Sequence, residues 1–309
     1  MEKNIELIFS FDANYITPFL VLLASVFANN VEEEIYFHIG LTNASAQEKA
    51  RITEFVEANR SKVWFYNIDI EQVRAFAPPS ERYGLYTFYR LLLPSLLPER
   101  VEKIIYLDVD LLIVGSLRQL YDTDIGTLPV AAVPEPVTFI RSDLGLQKLG
   151  DYFNAGVLLI NMHLWRQQQI AEKTIQYLKD YPEKVEYLDQ DALNAVLVDN
   201  WLPLEDAYNF TWRAIPPQAS QRELQQLVAC KTIVHFNTAA KPWHRMSAGR
   251  LDYLYHDFFD KLPYPKLQGY HQVVWNANTI GHFIKLKLLK FYWDNPNIGK
   301  FWRKIKSDK

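Results

Sequence analysis

The stretch Lys103-Ile104-Ile105-Tyr106-Leu107-Asp108-Val109-Asp110 joins an apolar run, typical of a buried strand, to two carboxylates one residue apart. Side chains two apart on a strand point to the same face, so Asp108 and Asp110 can converge on one cation while Val109 turns into the packing. Two oxygen donors leave positions open on Mg²⁺ or Mn²⁺, which a diphosphate fills well. The pattern indicates a phosphate-carrying substrate; its alternative interpretation is a pair of aspartates that merely open a loop.

Apolar and amphipathic segments alternate on either side of this stretch. We expect strands at 6–11, 34–41, 62–68, 130–133, 154–161 and 232–236, and helices at 18–28, 45–60, 86–93, 163–179 and 189–198. Ser45 and Glu48 have the spacing of a capping box. Strands that alternate with helices predict an α/β fold with a parallel sheet covered on both faces. Ligands of such folds bind at the carboxyl ends of strands, where Asp12, Asn14 and the two aspartates fall.

Other polar residues in apolar surroundings each allow two interpretations. Arg90 lies in an aromatic helix that Pro94 should end or kink, and it is either a snorkelling surface residue or an ion-pair and phosphate clamp. Asp189-Gln190-Asp191 opens a helix, where acidic residues also serve as caps. His235 is either a metal ligand or a hydrogen-bonded core histidine. The segment 134–150 is expected to be a loop or lid.

Composition excludes several classes of protein. The chain has 309 residues, 49% of them hydrophobic, and a net charge of −3, which gives no global basic field for nucleic acid. The single cysteine, Cys230, excludes an internal disulfide and is expected near the core. The acidic, polar N-terminus is unlike a secretory signal, and the longest apolar stretch, 19–28, is about half the ~20 residues of a spanning helix.

Six motifs, taken in order, resemble glycosyltransferase family 8, in particular the bacterial retaining α-galactosyl- and α-glucosyltransferases that build lipopolysaccharide and other surface glycans. The motifs are FSFDANY at 9–15, YTFYRL at 86–91, YLDVD at 106–110, YFNAGVLLIN at 152–161, DQD at 189–191 and the segment from His235 to His244. The resemblance implies a GT-A fold, that is, a Rossmann-like mixed sheet flanked by helices. It covers about the first 245 residues, and six matches in order are far more specific than any one.

The resemblance also implies a role for each matching residue. Asp108, Asp110 and His235 would ligate Mn²⁺, with Mg²⁺ as the alternative, and the ion would bridge both phosphates of a UDP-sugar. Donor binding would involve Ser10, Asp12 and Asn14 at uracil and ribose, Lys241 and Thr238 at the diphosphate, and Val109 between the two aspartates. Arg90 would approach the donor sugar, and Asn154, Asp189 and Gln190 would line it. The family often has glycine where Thr238 stands, so a side chain there could crowd the phosphate.

The C-terminal segment carries a separate signal. Between Lys285 and Lys309 there are eight Lys or Arg and two Asp, interleaved with aliphatic and aromatic residues. Basic residues beside apolar bulk are the pattern of an interfacial membrane helix, so we expect binding to an anionic membrane surface. A merely solvated packing helix is the alternative.

Together these observations predict a UDP-hexose-dependent retaining glycosyltransferase. The expected domains are a nucleotide-sugar-binding catalytic domain at 1–245 and a helical basic-aromatic region at 246–309. The hexose, galactose or glucose, would pass to a saccharide or lipid-linked glycan, as in lipopolysaccharide synthesis, on the cytoplasmic face of the cell membrane. A nucleotide-sugar hydrolase, a non-catalytic nucleotide-sugar or glycan-binding module and a self-glycosylating primer are the alternatives.

Overall fold

The computed structural model describes residues 4–78, 84–216, 219–238, 241–244, 247, 249–264 and 276–295. The strands are β1 (Ile5–Asp12), β2 (Ile35–Thr42), β3 (Lys62–Tyr66), β4 (Lys103–Leu107), β5 (Leu111–Ile113), β6 (Val130–Pro134), β7 (Phe153–Asn161), β8 (Leu202–Pro203), β9 (Phe210–Thr211) and β10 (Ile233–His235). The helices are α1 (Ile16–Asn29), α2 (Ala46–Ala58), α3 (Ile70–Arg74), α4 (Tyr89–Leu96), α5 (Arg118–Tyr121), α6 (Met162–Gln167), α7 (Ile170–Asp180), α8 (Asp189–Val196), α9 (Gln221–Val228), α10 (Asp252–Phe259) and α11 (Ala277–Asp294).

A seven-stranded sheet in the order β3-β2-β1-β4-β7-β6-β8 forms the centre of the molecule. The strands from β1 to β4 pair in parallel, whereas β7 runs antiparallel to both β4 and β6. The α/β fold expected from the sequence is confirmed. The parallel sheet expected from the alternation of strands and helices was wrong, because β7 is antiparallel to both of its neighbours and the sheet is mixed, as the family resemblance implies. Three other strands form a second sheet in the order β5-β10-β9, and its strand β5 begins directly after Asp110.

Alternating side chains of the central strands enter two apolar clusters, one on each face of the sheet. On β1, Leu7 and Phe9 pack against α1, where Phe9 meets the ring of Phe19 with centroids 5.0 Å apart, while Ile8 faces the opposite cluster beside Tyr106. Apolar residues on both faces are what a sheet covered on both sides requires. The core thus fixes β1 and β4, whose carboxyl ends carry the predicted site.

Two helix predictions were wrong in detail. The helix expected at 163–179 is two helices, α6 and α7, because Gln169 between them has a left-handed backbone with φ 55°. The aromatic helix opens with a 3-10 turn at 85–88 and continues through Pro94 to Leu96. Pro94 lies near the end of α4, so its missing N–H removes a single helical hydrogen bond. The capping box of Ser45 and Glu48 is confirmed.

Two further findings concern the C-terminal third. Cys230 is exposed, in the turn between α9 and β10, so its expected place near the core was wrong. Leu251, Tyr255 and Leu262, in and around α10, belong to the same apolar cluster as β1, so chain beyond residue 245 packs on the main core. The domain division at 245 stays a prediction. The basic tail beyond residue 295 lies outside the described residues.

Candidate active site

The three predicted metal ligands meet between the large and the small sheet. Asp108 follows β4, Asp110 precedes β5, and His235 ends β10. One ligand atom from each residue can be chosen so that all three lie within 4.8 Å of one another. The Nε2 atom of His235 lies 3.1 Å from Asp110 Oδ1 and 3.9 Å from Asp108 Oδ2. The structure therefore brings His235 to two aspartates that lie more than 120 positions before it in the sequence.

Strand pairing explains how His235 reaches the aspartates. β10 pairs antiparallel with β5, with His235 opposite Leu111, and the backbone N–H of Phe236 donates to the Asp110 carbonyl at 2.8 Å. The turn from β4 into β5 thus places Asp110 beside the end of β10. Val109 between the two aspartates is buried, as its position in the motif predicts.

A glycine gives these ligands their space. A Cβ atom at Gly156, on β7, would lie 2.3 Å from His235 Cε1, 2.8 Å from Asp108 Oδ2 and 3.0 Å from Asn154 Oδ1. Every larger residue would therefore fill the cradle in which the ligand atoms converge. Two carboxylates and one imidazole suit a divalent ion such as Mn²⁺, and the space and the donor set together fit a metal site.

A lysine holds one of the predicted ligands. Lys241 Nζ donates to Asp110 Oδ2 and, at 2.7 Å, to the Phe236 carbonyl oxygen. Burial alone would raise the pKa of Asp110, but Lys241 and His235 hold that pKa well below its usual range. Asp110 is therefore ionised, as a metal ligand must be. The predicted contact of Lys241 with a diphosphate would require this ion pair to open.

Arg90 is an ion-pair residue and not a snorkelling one. Its guanidinium is buried and donates to Asp108 Oδ1 at 2.9 Å and to the Ala155 carbonyl at 2.6 Å. Its Nε also lies 2.7 Å from Asp189 Oδ2. Burial opposes the charge, but the two carboxylates raise the pKa of Arg90 above its ordinary value. Arg90 thus links the candidate metal ligand Asp108 to Asp189, the first residue of α8.

Asp189 is buried at the first position of α8. Burial raises the pKa of its carboxyl to about 7, against the lowering effect of Arg90. A carboxyl that titrates near neutrality, in a cleft and beside a fixed cation, is typical of functional sites. The capping interpretation of this acidic segment therefore does not account for Asp189.

Gln190 is fixed at both ends of its amide. Its Oε1 accepts from the Ala155 backbone N–H at 2.9 Å, and its Nε2 donates to the Tyr152 hydroxyl at 2.9 Å. Tyr152 in turn donates to Asp191 Oδ1 at 2.5 Å. Asp191 therefore acts through Tyr152 as a support for Gln190, and the amide presents a defined face to the cleft.

Asn154 is also fixed by its neighbours. Its Oδ1 accepts from the Gly156 backbone N–H at 3.0 Å, and its Nδ2 donates to Glu135 Oε2 at 2.6 Å. Because both ends of the amide are hydrogen-bonded, the side chain has a fixed orientation. It is buried and lines the cleft together with the metal ligands.

The residues predicted to hold the nucleoside are less closely grouped. Ser10 lines the cleft and donates to the hydroxyl of Tyr106, which itself donates to Asp108 Oδ1 at 2.9 Å. Asp12 accepts from the Asn14 backbone N–H at 2.9 Å, and the two side chains lie outside the set that lines the cleft in the described part of the chain. Their nucleoside role stays a prediction. Thr238 is half-buried and lines the cleft next to Lys241.

Apart from Asp12 and Asn14, the predicted site residues line one open cleft of about 450 Å³, a size typical of small-molecule sites. Aromatic residues also line it. They are Tyr15, Tyr86, Tyr106, Phe139, Tyr152, Tyr187 and Trp212. Rings beside a few charged groups are suited to a ligand with both sugar-like and phosphate-like parts.

A sequence profile described as "Glycosyl transferase family 8" matches residues 6–247 of this chain. The chain belongs to glycosyltransferase family 8. It is thus a glycosyltransferase, and the family resemblance expected from the six motifs is confirmed. The match spans all three candidate metal ligands and Lys241.

Two relatives and one solved structure show what the chain is similar to. The lipopolysaccharide 1,3-galactosyltransferase of Salmonella typhimurium is 28% identical over 249 residues, which cover 78% of this chain and 73% of that protein. The lipopolysaccharide 1,2-glucosyltransferase of Escherichia coli K12 is 27% identical over 244 residues, 76% of this chain and 71% of that protein. The galactosyltransferase LgtC, solved with donor and acceptor sugar analogs, superposes with a TM-score of 0.72 at 24% identity, covering 90% and 100% of the two chains. The likeness to LgtC shows the GT-A fold.

Several residues of this family 8 site were not among those predicted from the sequence. They are Gly156, which leaves room for the ligand atoms, Tyr106, Tyr152 and Glu135, which orient predicted residues, and Asn209, which contacts His235. Gly156 and Tyr152 lie in the motif at 152–161, within two residues of Asn154, so the sequence could have identified them as site residues. Asn209 and Glu135 had no signal, because only the pairing of β9 with β10 and of β6 with β7 brings them close.

Proposed function

We propose that this family 8 enzyme is a retaining α-glycosyltransferase that moves a hexose from a UDP-sugar to a saccharide or lipid-linked glycan and depends on Mn²⁺. The observation that carries the proposal is the convergence of Asp108, Asp110 and His235 within 4.8 Å beside the amine of Lys241. Galactose or glucose is the proposed hexose, because the relatives are named lipopolysaccharide galactosyl- and glucosyltransferases.

The reaction breaks the bond between the anomeric carbon and a phosphate oxygen, leaving positive charge on the sugar and negative charge on UDP. A bound divalent ion would act as a Lewis acid towards the diphosphate. Asp108, Asp110 and His235 would hold that ion, and Lys241 would turn from Asp110 to the departing phosphates. A nitrogen donor beside two carboxylates favours Mn²⁺ over Mg²⁺. These charges are in place before reaction, which is how preorganised sites stabilise charge.

Retention of configuration can arise by two routes, and the surroundings of Gln190 favour attack from the leaving-group face. A double displacement needs a nucleophile behind the anomeric carbon, but the Gln190 Oε1 atom already accepts from the Ala155 N–H. An amide oxygen is also a poorer nucleophile than a carboxylate. In the proposed route the acceptor hydroxyl bonds to the anomeric carbon, the carbon–phosphate oxygen bond breaks, and the departing phosphate takes the hydroxyl proton. Asp189 and Gln190 steady the cationic sugar.

A screen of UDP-sugars with Mn²⁺ tests the activity. Turnover should require the metal and a saccharide acceptor, and Asp110→Ala should abolish it while leaving the chain folded. Products are separated with and without acceptor. UDP release at the same rate in both cases, with free hexose as the product, would identify the hydrolase instead.

The mechanism has its own test. Intact mass spectrometry during turnover should find no hexose bound to the protein, and nuclear magnetic resonance of the product should show an α-linkage. A hexosyl adduct on Gln190 or Asp189 would establish the double displacement and end the proposal of same-face attack.

We also propose that the C-terminal region binds the cytoplasmic face of the cell membrane. Among the described residues, no helix is long and apolar enough to cross a membrane. Helix α11 instead exposes Ile280, Ile284, Leu288 and Phe291 at 46%, 53%, 62% and 55% of their surface. Their spacing places them along one side of the helix, and Lys285 and Lys287 are exposed nearby. An apolar stripe beside lysines is suited to an anionic lipid surface, where a lipid-linked acceptor would also lie.

Sedimentation with vesicles tests this location. The full chain should sediment with phosphatidylglycerol-containing vesicles and less with phosphatidylcholine alone, and replacing Ile284 and Leu288 by Gln should lower binding by about tenfold. Val31→Gln, which replaces an exposed apolar residue between α1 and β2, is the matched control. Equal sedimentation of the full chain and of a chain truncated before Gly281 would refute the proposal.

A further inference from the structure

A buried asparagine outside the predicted site lies against the candidate metal ligand His235. Asn209 directly precedes β9, which pairs in parallel with β10, and this pairing places it beside the imidazole. It is only 3% exposed, and both ends of its amide are bonded. Asn209 Oδ1 lies 2.9 Å from His235 Nδ1, and Asn209 Nδ2 lies 2.8 Å from Asn154 Oδ1.

The polarity of these hydrogen bonds can be worked out from the two groups whose roles are fixed. The backbone N–H of Gly156 can only donate, and it points at Asn154 Oδ1 at 3.0 Å. The carboxylate of Glu135 can only accept, and it lies 2.6 Å from Asn154 Nδ2. The amide of Asn154 therefore has one possible orientation, with its oxygen towards Asn209.

The orientation of Asn154 also determines the orientation of Asn209 and the position of the proton on the imidazole. Because Asn154 presents an oxygen, Asn209 must donate to it through Nδ2, and its own oxygen must then face His235 Nδ1. An oxygen acceptor there requires a proton on Nδ1. A neutral ring with its proton on Nδ1 has its lone pair on Nε2, so a divalent ion bound there would replace the hydrogen bond that joins Nε2 to Asp110 Oδ1 at 3.1 Å. A metal-bound histidine needs this tautomer.

We propose that Asn209 is a positioning residue that holds His235 with its proton on Nδ1 and links the metal ligand, through Asn154, to Glu135, which also lines the cleft. The inference rests on the proposed function, since it assigns the role of Asn209 towards a divalent ion. One chain of hydrogen bonds then orients both His235 and Asn154, so the ion and the donor sugar are presented in a fixed relation.

Two variants of Asn209 distinguish its hydrogen bond to His235 from its hydrogen bond to Asn154. Asn209→Leu has a similar volume and no acceptor, so Mn²⁺ affinity should fall by about tenfold to a hundredfold, the usual effect of losing such a partner. Asn209→Asp keeps an oxygen towards His235 and should bind Mn²⁺ as tightly as the wild type or more so. It cannot donate to Asn154, so its transfer rate should still fall.

The binding and tautomer measurements use the full chain and do not depend on turnover. Mn²⁺ binding is followed by electron paramagnetic resonance, and the His235 tautomer by ¹⁵N resonance of histidine-labelled, Mg²⁺-loaded protein. Asn30→Leu is the matched control, because Asn30 is a 5% exposed asparagine that also bridges two elements, donating to the Val26 carbonyl and accepting from the Leu117 N–H. It should lower the thermal stability and leave Mn²⁺ affinity and tautomer unchanged.

An unprotonated Nδ1 in the wild type overturns the inference, as does Asn209→Leu protein that keeps wild-type Mn²⁺ affinity. If Asn209→Leu does not fold, Asn209→Asp and the wild-type spectrum still decide. A wild-type chain that binds neither Mn²⁺ nor Mg²⁺ refutes the proposed function instead. The ¹⁵N resonance of Nδ1 then still tests the inference, because the hydrogen bonds of Gly156 and Glu135, not the ion, require a proton on Nδ1.

Discussion

Lys241 Nζ donates a hydrogen bond to Asp110 Oδ2, so the cation proposed to meet the diphosphate is paired with a candidate metal ligand. Both side chains are largely buried, at 17% and 15% exposure, which strengthens their attraction relative to a surface pair. A divalent ion and Lys241 therefore compete for the same carboxylate. When a donor binds, its diphosphate offers Lys241 a new partner, so that metal and nucleotide should favour each other's binding.

Lys241→Met tests this competition. Without nucleotide the variant should bind Mn²⁺ about threefold to tenfold more tightly, because Asp110 loses its competing cation. UDP binding in the presence of Mn²⁺ should become about tenfold weaker, because the charge-assisted contact is gone. Calorimetric titrations measure both affinities. Lys62→Met, which removes a half-exposed surface pair with Glu34, is the control. Weaker Mn²⁺ binding to the nucleotide-free variant would contradict the competition.

Gly156→Ala tests the space around the ligands. The added Cβ would lie 2.3 Å from His235 Cε1 and 2.8 Å from Asp108 Oδ2, so the ligand atoms must move apart. We expect at least a tenfold loss of Mn²⁺ affinity and of kcat/KM. A Cβ at Gly281, in α11, meets nothing within 4 Å, so Gly281→Ala should change neither quantity. Unchanged Mn²⁺ affinity in Gly156→Ala protein would mean that the ion does not sit in this cradle.

Asp189 should make the free energy of unfolding depend on pH. Its folded pKa of about 7 is above the ordinary value of 3.8, so between these values the folded chain holds a proton that the unfolded chain has lost. The contribution of Asp189 to stability is therefore full below the lower value and is lost as the pH rises towards 7, with a slope of at most about 1.4 kcal/mol per pH unit.

Asp189→Asn isolates this contribution. Denaturant unfolding of both proteins from about pH 4 to about pH 8 should show the stability difference, wild type minus variant, falling with pH and levelling above neutrality. The metal-free chain is used throughout, because a bound cation would favour the ionised carboxyl. A difference that rises with pH over this window would show that the folded pKa is lowered instead.

Tyr152→Phe should affect catalysis without affecting the metal site. Its hydroxyl accepts from Gln190 and donates to Asp191, so its loss frees the Gln190 amide to rotate. We expect kcat to fall by about tenfold while Mn²⁺ affinity stays within twofold of the wild type, since the ligand atoms are untouched. Tyr177→Phe, on α7, is the control; the Tyr177 ring pairs with that of Tyr181, the residue directly after this helix. An unchanged kcat in Tyr152→Phe protein would show that catalysis does not depend on the orientation that Tyr152 gives to the Gln190 amide.

Much of the fold could be predicted from local signals. The alternation of apolar segments gave β1, β2, α1 and α2 nearly as observed, and Ser45 with Glu48 marked a helix start correctly. Local signals failed where the backbone departs from its usual geometry. The φ of 55° at Gln169, which separates α6 from α7, has no mark in the sequence because glutamine rarely adopts that conformation.

The sequence allowed the residues of the site to be predicted, but it did not allow the contacts between them to be predicted. The two aspartates and His235 were expected as metal ligands, and the structure brings their side chains together. The pairing of Lys241 with Asp110, and of Asn209 with His235, depends on strand pairing between distant segments, which no short pattern encodes. Polar residues that orient others therefore escape sequence analysis even when the residues they orient do not.

Anomalous diffraction from a crystal grown with MnCl₂ and UDP tests the assignment of the three metal ligands. We expect one manganese peak bonded to Asp108, Asp110 and His235 Nε2 and to both phosphates of UDP, with Lys241 turned from Asp110 to the diphosphate. A crystal with UDP bound but no manganese peak between the aspartates, or with His235 turned away from the ion, would contradict it.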